Sequence, residues 1–388
     1  MLIFVIFLLG AYGLVKMPAK TSVTENRTLA QFQHFTLKSF LDGTFQNNFE
    51  EALSDQFIGS EKIRTAYGEV INNLPTFGLD QLVCTNHYIE LPGNSFTNTL
   101  FNCDDYMIAP AMTIDPKQKS LLESDILANH IEKYNHVNDL ADTYYYFIEE
   151  AQSFNFEDGT RVLDLEKELR SNLNGSYTMT SLQFDSYDEF KKYYYKTDHH
   201  WNYVGAYKGY QDIAKMFGIE NPAEPISTVT NHEYFFGSRS RDSQTYDSKE
   251  EFAVYKFDLP KHDTYINRKL GQYGHFEDFE AHNYKYKKST NFYGWVYGGD
   301  SGEVIFDFHQ PEKDDILIIS NSFDNAIIEL LAQHFNKTYA IDLRNYKRDI
   351  GEDFVFSEYI KTNKINKVLF VMSPRFIYNE ESNQGLEL

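Results

Sequence analysis

Asp315-Ile316-Leu317-Ile318-Ile319-Ser320-Asn321-Ser322-Phe323 is the stretch on which the fold turns. Its apolar run is unbroken and follows two acidic residues, the pattern of a strand covered on both faces in a parallel sheet. The run stops at Ser320, and Asp324 to Phe335 then carries helical spacing through Ile327, Ile328, Leu330, Leu331 and Phe335. A serine between strand end and helix start lies on the carboxyl edge of the sheet, where α/β folds bind ligands. It also lies near the free N–H groups of the helix, a setting that suits a developing oxyanion. Two readings of Ser322 stay open, a nucleophile or a helix cap. Ser320 offers a second hydroxyl, but it still belongs to the strand.

The sequence beyond Ser322 continues the same rhythm. Lys337 to Leu343 reads as a short strand, Phe356 to Lys364 as a helix, and Lys367 to Met372 as a third strand closed by Ser373-Pro374. Strand, helix, strand, helix, strand implies parallel pairing with right-handed crossovers. Arg344 falls at the carboxyl end of the second strand, on the edge that carries Ser322. It suits either a substrate anion or carbonyl, or a salt bridge to a neighbouring acid.

A hydroxyl needs a base, and Thr197-Asp198-His199-His200-Trp201-Asn202 supplies one. In an extended segment Asp198 and His200 share a face while His199 points away. A carboxylate beside an imidazole fixes the ring's tautomer and stabilises the imidazolium. Two other readings compete. Asp198 caps the helix that begins at Tyr203 while His200 is a core residue, or the two histidines and a carboxylate hold a metal. Adjacent histidines on an extended segment diverge, and no second His/Asp/Glu cluster completes a site, so no metal is expected. Trp201 either lines a pocket or locks the loop from the core. Gly237 and Ser238 either donate to an oxyanion or form only a turn.

The remainder of the chain organises around these two stretches. Residues 1–20 contain Leu2 to Val15, an apolar run without charge followed by Lys16 and Lys20. It is shorter than the roughly 20 residues of a spanning helix, so it reads as a signal peptide or membrane anchor and implies export. A buried terminal helix is the alternative. Residues 21–75 read as a helical entry segment (Leu37 to Leu53, Ile63 to Leu74), and 76–388 as the α/β body. Within that body Lys117 to Leu140 reads as one amphipathic helix, Tyr144 to Ile148 as a central strand, and Tyr203 to Phe217 as a helix. From about 228 to 306 the pattern turns irregular, with strand fragments at Phe252 to Phe257 and Val304 to Phe308. That is a long insertion between base and nucleophile. No internal repeat is visible.

Composition excludes some classes. The net charge is -21, with no basic cluster, which disfavours nucleic acid and anionic membrane faces. The membrane is met, if at all, through the N-terminal segment. The two cysteines, Cys84 and Cys103, are too few for a disulfide scaffold and form either one bridge or two buried thiols. Aromatic residues make up 16% of the chain, 29 Tyr and 32 Phe among them. Tyr234, Tyr246, Tyr255, Tyr265 and Tyr273 fall in the irregular stretch, where they serve either as sugar-stacking faces or as core.

Lys196 to Asn202, followed by Gly205-Ala206-Tyr207, resembles the signature of the DHHW family, named for its tetrapeptide. Glu25 to Ala30, Phe235-Phe236-Gly237-Ser238 and Ile341-Asp342-Leu343-Arg344 resemble further segments of that family, in the expected order. The family is related to alginate O-acetyltransferases and, more distantly, to SGNH-type hydrolases. The resemblance implies an SGNH-hydrolase-like parallel sheet flanked by helices, with Asp198 as orienting acid, His200 as general base and Ser322 as nucleophile. The chain departs where relatives show Gly-Asp-Ser, having Ser320-Asn321-Ser322, so Asn321 joins Arg344, Gly237, Ser238 and Trp201 as a substrate or oxyanion candidate. The implied activity is transfer of an acetyl group to a cell-surface polysaccharide, without a cofactor and with a membrane-bound O-acyltransferase as supplier. An esterase using the same three residues, and a non-catalytic glycan-binding or assembly protein, are the alternatives.

Overall fold

Ile316, Leu317, Ile318 and Ile319 are all fully buried, although successive side chains of a strand point to opposite faces. The strand must therefore be covered on both sides, and the computed structural model shows how. It describes residues 20–22, 27–41, 43–56, 88–90, 96–103, 105–156, 158–243, 245–246, 248–285, 287 and 290–386. The expectations for Leu2 to Val15, Ile63 to Leu74 and Cys84 lie outside these residues, and Cys103 is buried.

The central sheet comprises β1 (Asp142–Ile148), β2 (Tyr177–Leu182), β3 (Asp263–Ile266), β4 (Lys269–Leu270), β5 (Glu303–Asp307), β6 (Ile316–Ser320), β7 (Lys337–Ile341) and β8 (Lys367–Met372). Their order across the sheet is β4-β3-β5-β7-β6-β8-β1-β2. The run from β7 to β2 is parallel throughout, as the sequence pattern implies. The sheet as a whole is mixed, because β5, β3 and β4 add to its edge antiparallel. Those three strands come from the stretch read as irregular. That stretch also holds an antiparallel pair, Ser227–Tyr234 with Glu251–Lys256, and a small core of Phe235, Phe252, Phe279, Phe292, Tyr293 and Val296. The fragments expected at Phe252 to Phe257 and Val304 to Phe308 are strands, while the Tyr, Ser and Gly content around them hid the shorter β3 and β4.

Alternate residues of the parallel strands feed two separate cores. Tyr146, Ile316, Ile318, Leu369 and Val371 pack with Tyr210 and Ile213 of the Tyr203–Met216 helix. On the other face Tyr145, Leu317, Ile319, Val368 and Phe370 pack with Tyr134 and Val137 of the Ile126–Leu140 helix and with Phe356 and Ile360 of the Phe356–Asn363 helix. Two expected helices are shorter than their spacing implied. Lys117 to Leu140 is two helices, Pro116–Leu122 and Ile126–Leu140, interrupted where the Ser124 hydroxyl donates to the Leu121 carbonyl and accepts from the Ile126 N–H. The segment after Ser322 is a 3₁₀ turn, Asp324–Ala326, and a short helix, Ile328–Ala332, broken by the non-helical Ile327. The entry segment contributes helices Leu37–Leu41 and Thr44–Gln56. Among the described residues no helix is long and apolar enough to cross a membrane.

The strand order places the chemistry. From β6 the chain goes first to β7 on one side, then returns past β6 to β8 on the other. The carboxyl end of β6 thus sits where the winding direction reverses, the position at which open α/β sheets form a ligand crevice. Burial on both faces makes β6 sensitive to cavities. Ile318→Ala is expected to lower the unfolding free energy by about 2–5 kcal/mol in urea denaturation. Ile226→Ser, at a side chain 61% exposed, is expected to change it by less than about 0.5 kcal/mol.

Candidate active site

The base comes from a tight loop between two helices. Tyr187–Tyr193 ends, the chain turns through Tyr194 to Asn202, and Tyr203–Met216 begins. The turn is closed by a bridge between Tyr194 and Trp201, by Tyr195 N–H donating to the His200 carbonyl, and by Asn202 N–H donating to the Tyr193 carbonyl. The Asn202 side chain caps the second helix, accepting from Val204 and Gly205 at 2.9 and 3.0 Å. Asp198 is therefore not that helix's cap. Trp201 is fully buried, packs against Tyr146 and Phe323, and lies so close to Gly209 that a Cβ there would meet its ring at 2.5 Å. It locks the loop from the core rather than lining a pocket.

Asp198, His200 and Ser322 stand in a line. Asp198 Oδ1 accepts from His200 Nδ1 at 2.6 Å, and His200 Nε2 is 2.7 Å from Ser322 Oγ. Asp198 and His200 are buried while Ser322 is half-exposed, so the line runs from the interior out to the carboxyl edge of β6. The Ser322 hydroxyl caps no helix, and the turn that follows has no side-chain cap. Ser320 donates to the Val371 carbonyl inside the sheet and belongs to the strand.

Burial pushes the Asp198 carboxyl up. The His200 ring, with help from His199 and Arg241, outweighs that effect and holds it well below the usual carboxylate range. An ionised Asp198 needs further donors, and it takes the His200 backbone N–H at 3.1 Å and the Ser238 N–H at 2.6 Å. The Gly237 N–H goes to Thr197 Oγ1 at 3.0 Å. Of these two candidate oxyanion donors, the Ser238 N–H thus supports the acid and the Gly237 N–H the neighbouring threonine hydroxyl. Gly237 has a steric reason to be glycine, since a Cβ would fall 2.4 Å from Asp198 Cβ and 2.5 Å from the Thr197 carbonyl. Among the described residues the Ser322 N–H has no backbone acceptor.

The other candidates have other duties. Arg344 pairs with Asp342 at 2.5 Å and Asp300 at 3.1 Å, the salt-bridge reading of that residue. Asn321 is buried beside the nucleophile, and its Oδ1 accepts from the Phe323 N–H at 3.2 Å. His199 does not diverge from His200. Residues 197–200 form a bend rather than a strand, so the two ring centroids lie 3.8 Å apart and His199 Nδ1 reaches Ser238 Oγ at 2.6 Å. Burial and the neighbouring His200 hold His199 well below the usual histidine range, hence neutral. Ligand-type atoms of Asp198, His199 and His200 do lie within 4.8 Å of one another. Each ring nitrogen facing the group already has a partner in Asp198, Ser322 or Ser238, so a metal would have to break the line.

Two supporting residues left no signal in the sequence. Tyr293 stacks on His200 at 4.0 Å with the ring planes 5° apart, and its hydroxyl donates to the Ser322 carbonyl at 3.1 Å. It reads as one aromatic among many in its stretch. Glu250 accepts from the backbone N–H groups of Lys196 and Thr197 at 2.7 and 3.1 Å, and from Thr197 Oγ1 at 3.1 Å. It belongs to a different segment from the loop it clamps.

No family model matches the chain, and no curated protein matches it in sequence. Solved structures do match. A DHHW family protein from Eubacterium siraeum aligns with a TM-score of 0.54 and 17% identity, over 77% of this chain and 97% of that one. The chain has the fold of a DHHW family protein. Bacillus cereus PatB1 carrying a sulfonyl adduct aligns with a TM-score of 0.54 and 20% identity, over 73% of this chain and 97% of that one. A second structure of Bacillus cereus PatB1 gives 0.53 and 19%, over 73% of this chain and 98% of that one. The resemblance read from the Asp198-His199-His200-Trp201 block is thus met by the fold, and identities this low leave the chemistry to be read from the residues.

The Glu250 clamp has a pH signature. Burial pushes its carboxyl up to about 7 from 4.5, against the pull of the three donors. Between those values the unfolded chain loses the proton first, so this group favours the fold at low pH and disfavours it as pH rises. In thermal melts, the stability of the native protein relative to Glu250→Gln is expected to fall as pH is raised from about 4.5 to 7. A pH-independent difference would contradict the assignment.

Proposed function

We propose that the chain is an O-acyltransferase that moves an acetyl group onto a cell-surface polysaccharide through an acyl-serine intermediate. The observation that carries this reading is the 2.7 Å approach of His200 Nε2 to the Ser322 hydroxyl, with Asp198 behind the ring at 2.6 Å. Support comes also from PatB1, which shares this fold and bears a sulfonyl adduct. A reactive hydroxyl such as Ser322 is the kind of group that captures a sulfonyl electrophile.

The ionised Asp198 accepts a hydrogen bond from His200 Nδ1–H, which fixes the tautomer and leaves Nε2 as the proton acceptor. Ser322 Oγ attacks the carbonyl carbon of the donor ester as Nε2 takes its proton. The bond to the donor's alcohol oxygen breaks, and His200 returns the proton to that oxygen. A sugar hydroxyl then gives its proton to Nε2 and attacks the acyl-serine carbonyl, and Ser322 Oγ leaves with that proton. The Ser322 N–H is placed to donate to the oxyanion in both halves. Tyr293 holds the imidazole plane and the nucleophile's own carbonyl, so the two reacting groups share one support. In this reading the chain works outside the cytoplasmic membrane, brought there by Leu2 to Val15 and supplied by a membrane-bound acyl-handling partner.

The test uses the full chain, para-nitrophenyl acetate as donor and an oligosaccharide mixture as acceptor, with acetate and acetylated sugar both quantified. Acetylated sugar is the expected product, whereas acetate alone makes the protein an esterase. Ser322→Ala and His200→Ala are each expected to lower kcat by about 10⁴-fold or more, with Asp198→Asn also severe. Undiminished turnover in Ser322→Ala would end the proposal.

A further inference from the structure

A cavity of about 810 Å³ lies against the nucleophile turn, with Asn325, Ala326 and Ile327 in its wall. Neither Ser322 nor His200 lines it. An aromatic bridge joins it to them. Tyr297 lines the cavity, its ring centroid is 5.0 Å from that of Tyr293, and Tyr293 lies flat on His200.

The lining combines ring faces with polar edges. Tyr203, Tyr207 and Tyr255 form an edge-to-face cluster at 4.7 and 5.5 Å, and all three are only partly buried. Leu270, 70% exposed, forms an apolar lip. Carboxyl groups of Asp263, Glu277 and Glu329 stand around the wall with the amides of Gln272 and Asn325. Among the described residues the lining has one lysine, Lys261, while His262 and His309 face Glu329 and Asp263 at 3.1 and 3.0 Å.

We propose that this cavity is the docking cleft for the acceptor glycan, and that it takes an uncharged or amine-bearing chain and rejects a polyanionic one. The inference rests on the acyl-transfer reading and adds the class of substrate. A sugar ring has an apolar face for a tyrosine ring and a rim of hydroxyls for carboxylates and amides. An acyl tail would cover those charged and amide groups with hydrocarbon and strip their water, at a cost in binding. The volume is within the roughly 300–1,000 Å³ of small-ligand sites. Three carboxylates, two of them facing His262 and His309, stand against Lys261 on a chain of net charge -21, a lining with no surplus of cations to hold a polyanion.

The experiment titrates the full-length Ser322→Ala chain by calorimetry with cellopentaose, a chitosan pentamer and an oligogalacturonate of equal length. The neutral and amine-bearing probes are expected to bind, the polyanion about tenfold more weakly or not at all. Adding Tyr255→Ala is expected to raise Kd for the neutral probe about tenfold. Because Tyr255 also packs with its neighbours, Leu270→Asp at the exposed lip is the second variant, and it too should weaken binding. Preference for the polyanion, binding of none of the probes, or unchanged Kd in both variants overturns the cleft. Acetylation of a glycan with KM unaltered by Leu270→Asp would also lose the cleft while keeping the acyl-transfer reading. Binding as expected by a chain that neither transfers nor hydrolyses acetyl would keep the cleft and lose that reading.

Discussion

A negative charge buried under a histidine is the constraint around which this site is built. An ionised carboxylate out of water must be surrounded by donors, and leaving it unpaired costs about 3–5 kcal/mol. Asp198 meets the need with one imidazole N–H and two backbone N–H groups. The Ser238 donor comes from a distant segment, which approaches this closely only because Gly237 has no side chain to collide with Asp198. Thr197 ties the same two segments together through Gly237 and Glu250. The loop is thereby fixed before any substrate arrives, as a base that must point at one oxygen requires.

The nucleophile is fixed by different means. Ser322 follows a strand buried on both faces, at the point where the sheet's winding reverses, so its place is set by the core. Tyr293 then connects the two halves, with its ring on His200 and its hydroxyl on the Ser322 carbonyl. Charge pairing of Arg344 with Asp342 and Asp300 occupies the neighbouring edge.

Much of this was legible in the chain. The parallel strands β6, β7, β8 and β1 announced themselves because a doubly covered strand must be apolar throughout, and the Asp198-His200 spacing announced a relay. What stayed hidden depended on partners remote in sequence. The strands β3 and β4 are short and acquire meaning only by pairing with each other and with β5, whose apolar centre was visible at Val304 to Phe308 without its place in the sheet. Glu250 and Tyr293 act on residues of other segments, so no local pattern marks them. The divergence expected of His199 failed because residues 197–200 bend instead of extending, which brings the two rings together. Gly237 and Ser238 were singled out for donors already committed to the Thr197 hydroxyl and to the buried acid.

Whether the line from Asp198 to Ser322 is chemically active is tested most directly by catching the acyl group on the protein. The full chain is mixed with para-nitrophenyl acetate without an acceptor, quenched in acid, digested, and mapped by mass spectrometry. A single acetyl group on Ser322, absent from His200→Ala, is the expected result. Acetyl on another residue, or equal labelling of Ser322 without His200, would contradict it.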